Sequence, residues 1–473
     1  MVFTSITFLL FFLTAFLILY YAVPARFLRA RNAVAFLFSI AFYACGGVGY
    51  LFLLLFSVAA NYGFGAGIGR SRGKRAKKAF LAAAVVVNVG LLGVFKYAGF
   101  VTSSLASVIS GFPVLKTALP IGISFYTFQG MSYVFDVYSG SVGWAKNPLT
   151  VGLYISLFPQ LVAGPIVRYA DIESEIGERS FSSRDFASGA VRFMFGLGKK
   201  AILANSVGEI ADGIFNRAGA YPPTAPEAWL GAAAFALQIY LDFSSYSDMA
   251  IGLGQMIGFH FKENFDYPYD SLSVTEFWRR WHMSLSTWFR DYVYIPLGGN
   301  RKGPGRQIFN LMVVWTLTGI WHGANWTFIL WGVYYGVLLI IEKFLIGKRL
   351  GMIPAPVRYV GTAVAVLIGW VLFRSASISE AWEYLRSMFG ASGGSLGECV
   401  YYVKEYALEL VAAVLASVVP WRRIAKKLSE RPLPAPVASF LPYGAAALAF
   451  LVFGIGYMRM VSGSFTPFIY FQF

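Results

Sequence analysis

Long apolar runs separated by short polar or glycine-rich stretches occupy most of the 473-residue chain. They include residues 4–21, 50–68, 79–94, 186–203, 229–257, 357–373, 401–419 and 436–460. About 20 apolar residues cross a bilayer, so the runs predict roughly ten to twelve crossings. In lipid these must be helices, because every backbone polar group has to be satisfied within its own segment. The short alternating strands of a membrane β-barrel do not occur in the sequence. Residues 32–45 and 50–68 predict a helical hairpin closed at Gly46-Gly47-Val48-Gly49. Residues 120–136 and 153–168 are apolar but broken by Pro and Gly, as in re-entrant helices that line protein or water. Residues 172–184 mix acids and bases and predict an interfacial loop. The expected architecture is an all-α polytopic membrane protein, a single domain over residues 1–473 with a short tail at 461–473.

Composition sharpens this picture. The chain is 57% hydrophobic, 18% aromatic and only 13% charged, with a mean hydropathy of +0.61. Those values lie outside the range of soluble domains. A net charge of +16 raises the question of nucleic acid. The bases, however, cluster between apolar runs: Arg26, Arg29 and Arg31; Arg70 to Lys78; Arg422 to Arg431. That is the signature of cytoplasmic loops, not of a nucleic-acid surface. It places the N-terminus, and after the last run the C-terminus, on the outer side of the membrane. Residues 4–21 lack a basic leader and a small-residue cleavage site, so they read as a retained anchor. Cys45 and Cys399 are far apart and form no metal motif or disulfide framework.

Chemistry concentrates in residues 275–325. Read as one helix, Trp278, His282, Leu285 and Phe289 form one stripe, and Arg279, Met283, Ser286 and Arg290 a second. Arg280, Ser284, Thr287 and Asp291 form a third, and Pro296 with Gly298-Gly299-Asn300 makes a turn. His322 lies between two apolar runs, at membrane depth, where polar groups are costly and usually functional. A neutral imidazole there can take the proton from a hydroxyl as it attacks a thioester, which contributes roughly 10²–10⁴-fold. His282 reads equally as a structural, positioning or chemical group. Asp242 and Asp248, in the run 229–257, must face a cavity or pair with a cation. No phosphate-binding glycine loop or zinc motif is present.

Two stretches, Glu276 to Arg301 (EFWRRWHMSLSTWFRDYVYIPLGGNR) and Ile320 to Trp326 (IWHGANW), resemble the membrane-bound O-acyltransferase family, in its bacterial polysaccharide O-acetyltransferase branch. LPIGISFYTFQGMSYVFDVY from Leu119, LFPQLVAGPIVR from Leu157 and DFSSYSDMAIGLG from Asp242 fit the same pattern. The resemblance covers essentially the whole chain. It implies a helical bundle around a central tunnel in the bacterial inner membrane, with His322 as the essential histidine. It also implies cytoplasmic acetyl-CoA as donor substrate, no resident cofactor, and Arg279, Arg280, Arg290, Arg301 and Lys302 as candidates for its phosphates. Trp281, Asp291, Asn300, Asn325, Asp242 and Asp248 complete the implied substrate-binding set. The acceptor would be an extracytoplasmic polysaccharide, reached through a separate esterase-like partner.

Phe468-x-Tyr470-x-x-Phe473 resembles the terminal motif of envelope acyl-transfer systems, in which the tyrosine carries the acyl group. Its phenol, with a pKa near 10, needs a base to act as a nucleophile. An aromatic interface anchor is the other reading. The rival functions are D-alanyl transfer to teichoic acids and a glycan transporter or flippase. A transporter usually carries an inverted repeat, which the sequence does not show.

Overall fold

The computed structural model describes residues 2–219, 221–390, 396–430, 435–463 and 467–469. Among them every regular element is helical. The chain folds into two compact units, one of residues up to Phe193 with Ser247–Lys262, the other Met194–Tyr246 with Glu263–Ile469.

In the first unit the expected hairpin is present, with helices Leu28–Ala44 and Val48–Arg70 joined through Gly47 at φ 139°. Helix Lys74–Leu92 packs on Val48–Arg70, and Asn61 and Asn88 exchange amide hydrogen bonds of 2.9 and 3.2 Å between them. Such pairs hold apolar helices together where hydrophobicity gives no preference for protein over lipid. Two expectations change here. The bases Lys74 to Lys78 belong to a helix, because Lys, Arg and Ala are strong helix formers once Gly73 is passed. Residues Tyr169–Gly177 are also helical where a loop was expected. Helix Ser183–Gly198 crosses Ala225–Met256 at Gly189 and Gly252, where a Cβ on either glycine would lie 2.6 Å from the other's carbonyl oxygen. Beside that crossing Arg192 clasps Asp248 at 2.8 Å.

The second unit is built on an antiparallel hairpin of helices Pro304–His322 and Trp326–Ile340. Gly319 and Gly332 let them touch, since a Cβ on Gly319 would lie 2.3 Å from the Phe328 carbonyl oxygen. Asn325 caps the second helix by accepting from Thr327 N at 3.1 Å. Helix Ala355–Arg374 packs against this hairpin and contributes Trp370 and Phe373 to its aromatic core.

Among the described residues five helical stretches are long and apolar enough to cross a bilayer: Val48–Arg70, Lys74–Ala106, Trp326–Met352, Ala355–Arg374 and Phe440–Ser462. Several other apolar runs are divided. Residues 401–419 split at Tyr406, and 186–203 pass into a π-helical turn at Lys199–Ala204. The chain is thus a multi-pass membrane protein, all-helical among the described residues.

Candidate functional site

Ser273 starts the central element by accepting from Glu276 N at 3.0 Å. The Glu342 carboxylate takes the next two free amides, Val274 N at 2.8 Å and Thr275 N at 3.1 Å. The single helix expected here is two: Val274–Arg280 and Met283–Phe289, followed by a π-helical turn at Arg290–Tyr294. Between them His282 takes the left-handed conformation, φ 45° and ψ 53°. The break has a non-local cause. Residues 264–266 run alongside, with Asp266 N donating to Arg280 O at 3.0 Å and Met283 N to Asn264 O at 2.9 Å. Those bonds replace the intrahelical ones at that point. A left-handed, non-glycine residue is costly and clusters at functional sites.

One stripe survives the break whole, and a second survives without Met283. Trp278, His282, Leu285 and Phe289, with Arg279, Ser286 and Arg290, line one side of a cavity of about 270 Å³. Tyr294, Trp315, Thr318 and Lys343 are among the residues that close it. Its buried wall is aromatic and carries the imidazole, whereas Arg279, Arg290 and Lys343 are exposed. The cavity therefore has a cationic rim and an apolar interior.

His282 is buried, with Phe243 edge-on at 4.8 Å between ring centroids. Its Nδ1 lies 3.1 Å from Asn264 Oδ1. That oxygen also accepts from Ser284 N at 3.2 Å and Ser284 Oγ at 2.8 Å, which fixes the amide's orientation. Nδ1 must then be the protonated nitrogen, leaving Nε2 as the acceptor. Desolvation lowers the imidazole pKa to about 3, so it is neutral near pH 7.

His322 ends its helix and is buried in an aromatic shell of Trp321, Trp331 and Phe373, at 5.1, 4.9 and 5.3 Å between centroids. Trp321 stands between the histidines, its ring 6.0 Å from that of His282. It is His282, not His322, that lines the cavity.

The remaining sequence-derived candidates separate. Arg279 and Arg290 reach the rim, although Arg290 also holds the adjacent Asp291 at 2.7 Å. Arg280 turns away to Glu276 and to Asp270 at 3.4 Å, and Trp281 is buried against Trp370. Asn300, Arg301 and Lys302 are exposed in the following turn. Asn325 serves as a helix cap and donates to Ala376 O at 2.8 Å. Asp242 pairs with Lys200 at 2.5 Å and Asp248 with Arg192, and neither lines the cavity. Tyr470 lies outside the described residues. Sequence reading missed Lys343, Asn264 and Lys200. Only Lys200, a cation within an apolar run, carried any signal.

A model of the membrane-bound O-acyltransferase family matches residues 145–360. The chain is 41% identical to a probable alginate O-acetylase of Azotobacter vinelandii, with all of both chains covered. It is 44% identical to the probable alginate O-acetylase of Pseudomonas aeruginosa, covering 84% of this chain and 76% of that one. A peptidoglycan O-acetyltransferase of Helicobacter pylori is 33% identical over 81% of this chain and 78% of its own. The chain belongs to the membrane-bound O-acyltransferase family, in its alginate O-acetylase branch.

Proposed function

We propose that this acyltransferase takes acetyl from cytoplasmic acetyl-CoA and delivers it to the outer face of the bacterial inner membrane, for O-acetylation of a polysaccharide. The observation that carries the reading is the cavity whose exposed rim bears Arg279, Arg290 and Lys343 and whose buried wall bears the His282 imidazole. A coenzyme A thioester has anionic phosphates at one end and a long apolar-to-polar arm leading to the thioester. The cationic rim suits the first and the aromatic interior the second. Relatives named for O-acetylation of alginate and of peptidoglycan support a polysaccharide acceptor.

In this reading His322 is the general base. A hydroxyl attacks the thioester carbonyl, a C–O bond forms, the C–S bond breaks, and the proton taken by the imidazole passes to the departing thiolate. His282, held by Asn264 with Nε2 as acceptor, positions the donor and fixes Trp321, the wall shared with His322. The attacking hydroxyl is that of Tyr470, which carries acetyl outward to an esterase-like partner that completes the transfer. Ten to twelve crossings around a tunnel, with both termini outside, fit this route. D-alanyl transfer to teichoic acids differs in the acyl group carried and in the acceptor.

The test is product analysis. Mass spectrometry of envelope polysaccharides from cells with and without this gene is expected to show ester-linked acetyl only when the gene is present. Ester-linked alanine in its place would assign the rival activity. An unchanged polymer would remove both.

A further inference from the structure

The residues around Asp242 show a binding seat. Lys200 and Asp242 are each almost fully buried, at 4% and 1% side-chain exposure, with Nζ and Oδ1 2.5 Å apart. A buried ion pair loses so much hydration that it gains little unless its remaining valences are also satisfied. Here the chain's own residues 467–469 supply that. Ile469 N donates to Asp242 Oδ2 at 2.7 Å, and Lys200 Nζ donates to Pro467 O at 3.5 Å. Between these two main-chain bonds the Phe468 ring lies 4.9 Å from Lys200 Nζ, with Tyr246 edge-on at 5.1 Å. Phe468 and Ile469 are both buried.

We propose that Lys200 and Asp242 are positioning residues that grip the segment Pro467–Ile469, Phe468 acting as its anchor, and so present the residue that follows for acyl transfer. This rests on the reading of Tyr470 as carrier. The seat is one helix position from the imidazole shell: Asp242 holds Ile469, and the next residue, Phe243, packs on His282. The recognition has two parts. The ion pair reads main chain, which any sequence offers, whereas the cation and Tyr246 select an aromatic ring. Asp242 and Lys200 thus reach the acyl group only through the tail.

The test uses the full-length chain with Cys45 and Cys399 replaced by serine and Ile469→Cys introduced as a reporter. Its thiol is expected to react with a maleimide at least tenfold more slowly than a cysteine placed at exposed Tyr221. Replacing both charges together, Lys200→Met with Asp242→Leu, removes the grip without stranding a buried charge, so the fold is kept. Reaction at position 469 then speeds at least tenfold and acetyl transfer falls, with the melting temperature unchanged. Phe468→Ala, which leaves the ion pair intact, gives the same release. Tyr470→Phe abolishes transfer but leaves position 469 protected. Equal protection in the double variant and the parent overturns the seat. Transfer retained by Tyr470→Phe, with protection still lost in the double variant, overturns the carrier and leaves the seat standing.

Discussion

Replacing Gly319 with alanine tests how the site hairpin is held. The new Cβ would sit 2.3 Å from the Phe328 carbonyl oxygen and 3.2 Å from Gly332 Cα, against 3.4–4 Å for an ordinary contact. Both neighbours are backbone, so the helices must separate by about 1 Å. Overpacking of this kind costs roughly 1–3 kcal/mol, whereas replacing a helical glycine with alanine gains back roughly 1 kcal/mol. The net loss of up to ~2 kcal/mol lowers the melting temperature by several degrees, at about 2–4 °C per kcal/mol for units of this size. Trp315 lines the cavity and His322 ends the displaced helix, so acetyl transfer falls as well. Gly336→Ala is the control: its Cβ meets Met312 Sδ at 3.0 Å and Trp315 Cβ at 3.2 Å, both side-chain atoms. That variant is expected to be neutral or slightly stabilised. Melting and transfer assays on the two purified variants decide the matter. Equal behaviour would refute the close backbone contact as what sets the hairpin.

Arg279→Gln combined with Lys343→Gln removes two rim cations and is expected to raise the KM for acetyl-CoA severalfold, with a smaller change in kcat and a weaker dependence on salt; an unchanged KM would move the donor elsewhere. Asn264→Leu takes away the acceptor for His282 Nδ1 and both Ser284 donors, so kcat falls at least tenfold, while Asn264→Asp, which keeps an acceptor, retains more. Acid should weaken the fold through His282. Its folded pKa of about 3 lies below the ordinary 6.5, so between these values the unfolded chain binds the extra proton. Stability is therefore full above pH 6.5 and declines as pH falls towards 3. The pH dependence of the melting temperature is expected to be shallower in His282→Asn, and equal slopes would count against a buried neutral imidazole.

Much of this site could be read from local pattern. The stripe of Trp278, His282, Leu285 and Phe289 faces the cavity as helical spacing predicts, and so does that of Arg279, Met283, Ser286 and Arg290 except for Met283. Asp242 and Asp248 are paired with cations, as carboxylates among apolar residues require. What escaped is non-local. The break at His282 comes from main-chain bonds to residues 264–266, and nothing in WRRWHMS announces it. The resemblance also offered Arg280 for the donor's phosphates, whereas in the structure its guanidinium pairs with Glu276 and Asp270, partners that local spacing does not single out. Lys343 reaches the rim from another helix, so its role depends on tertiary packing. Apolar runs and long helices differ for a related reason: hydropathy marks the runs, but breaks such as that at Tyr406 decide which continue as one helix.

Turnover of labelled acetyl-CoA by the protein reconstituted in lipid vesicles, wild type against His322→Ala, measures the proposed chemistry directly. Loss of a general base predicts a fall of about 10²–10⁴-fold in the variant, measured per folded protein. Turnover by His322→Ala at the wild-type rate would contradict it.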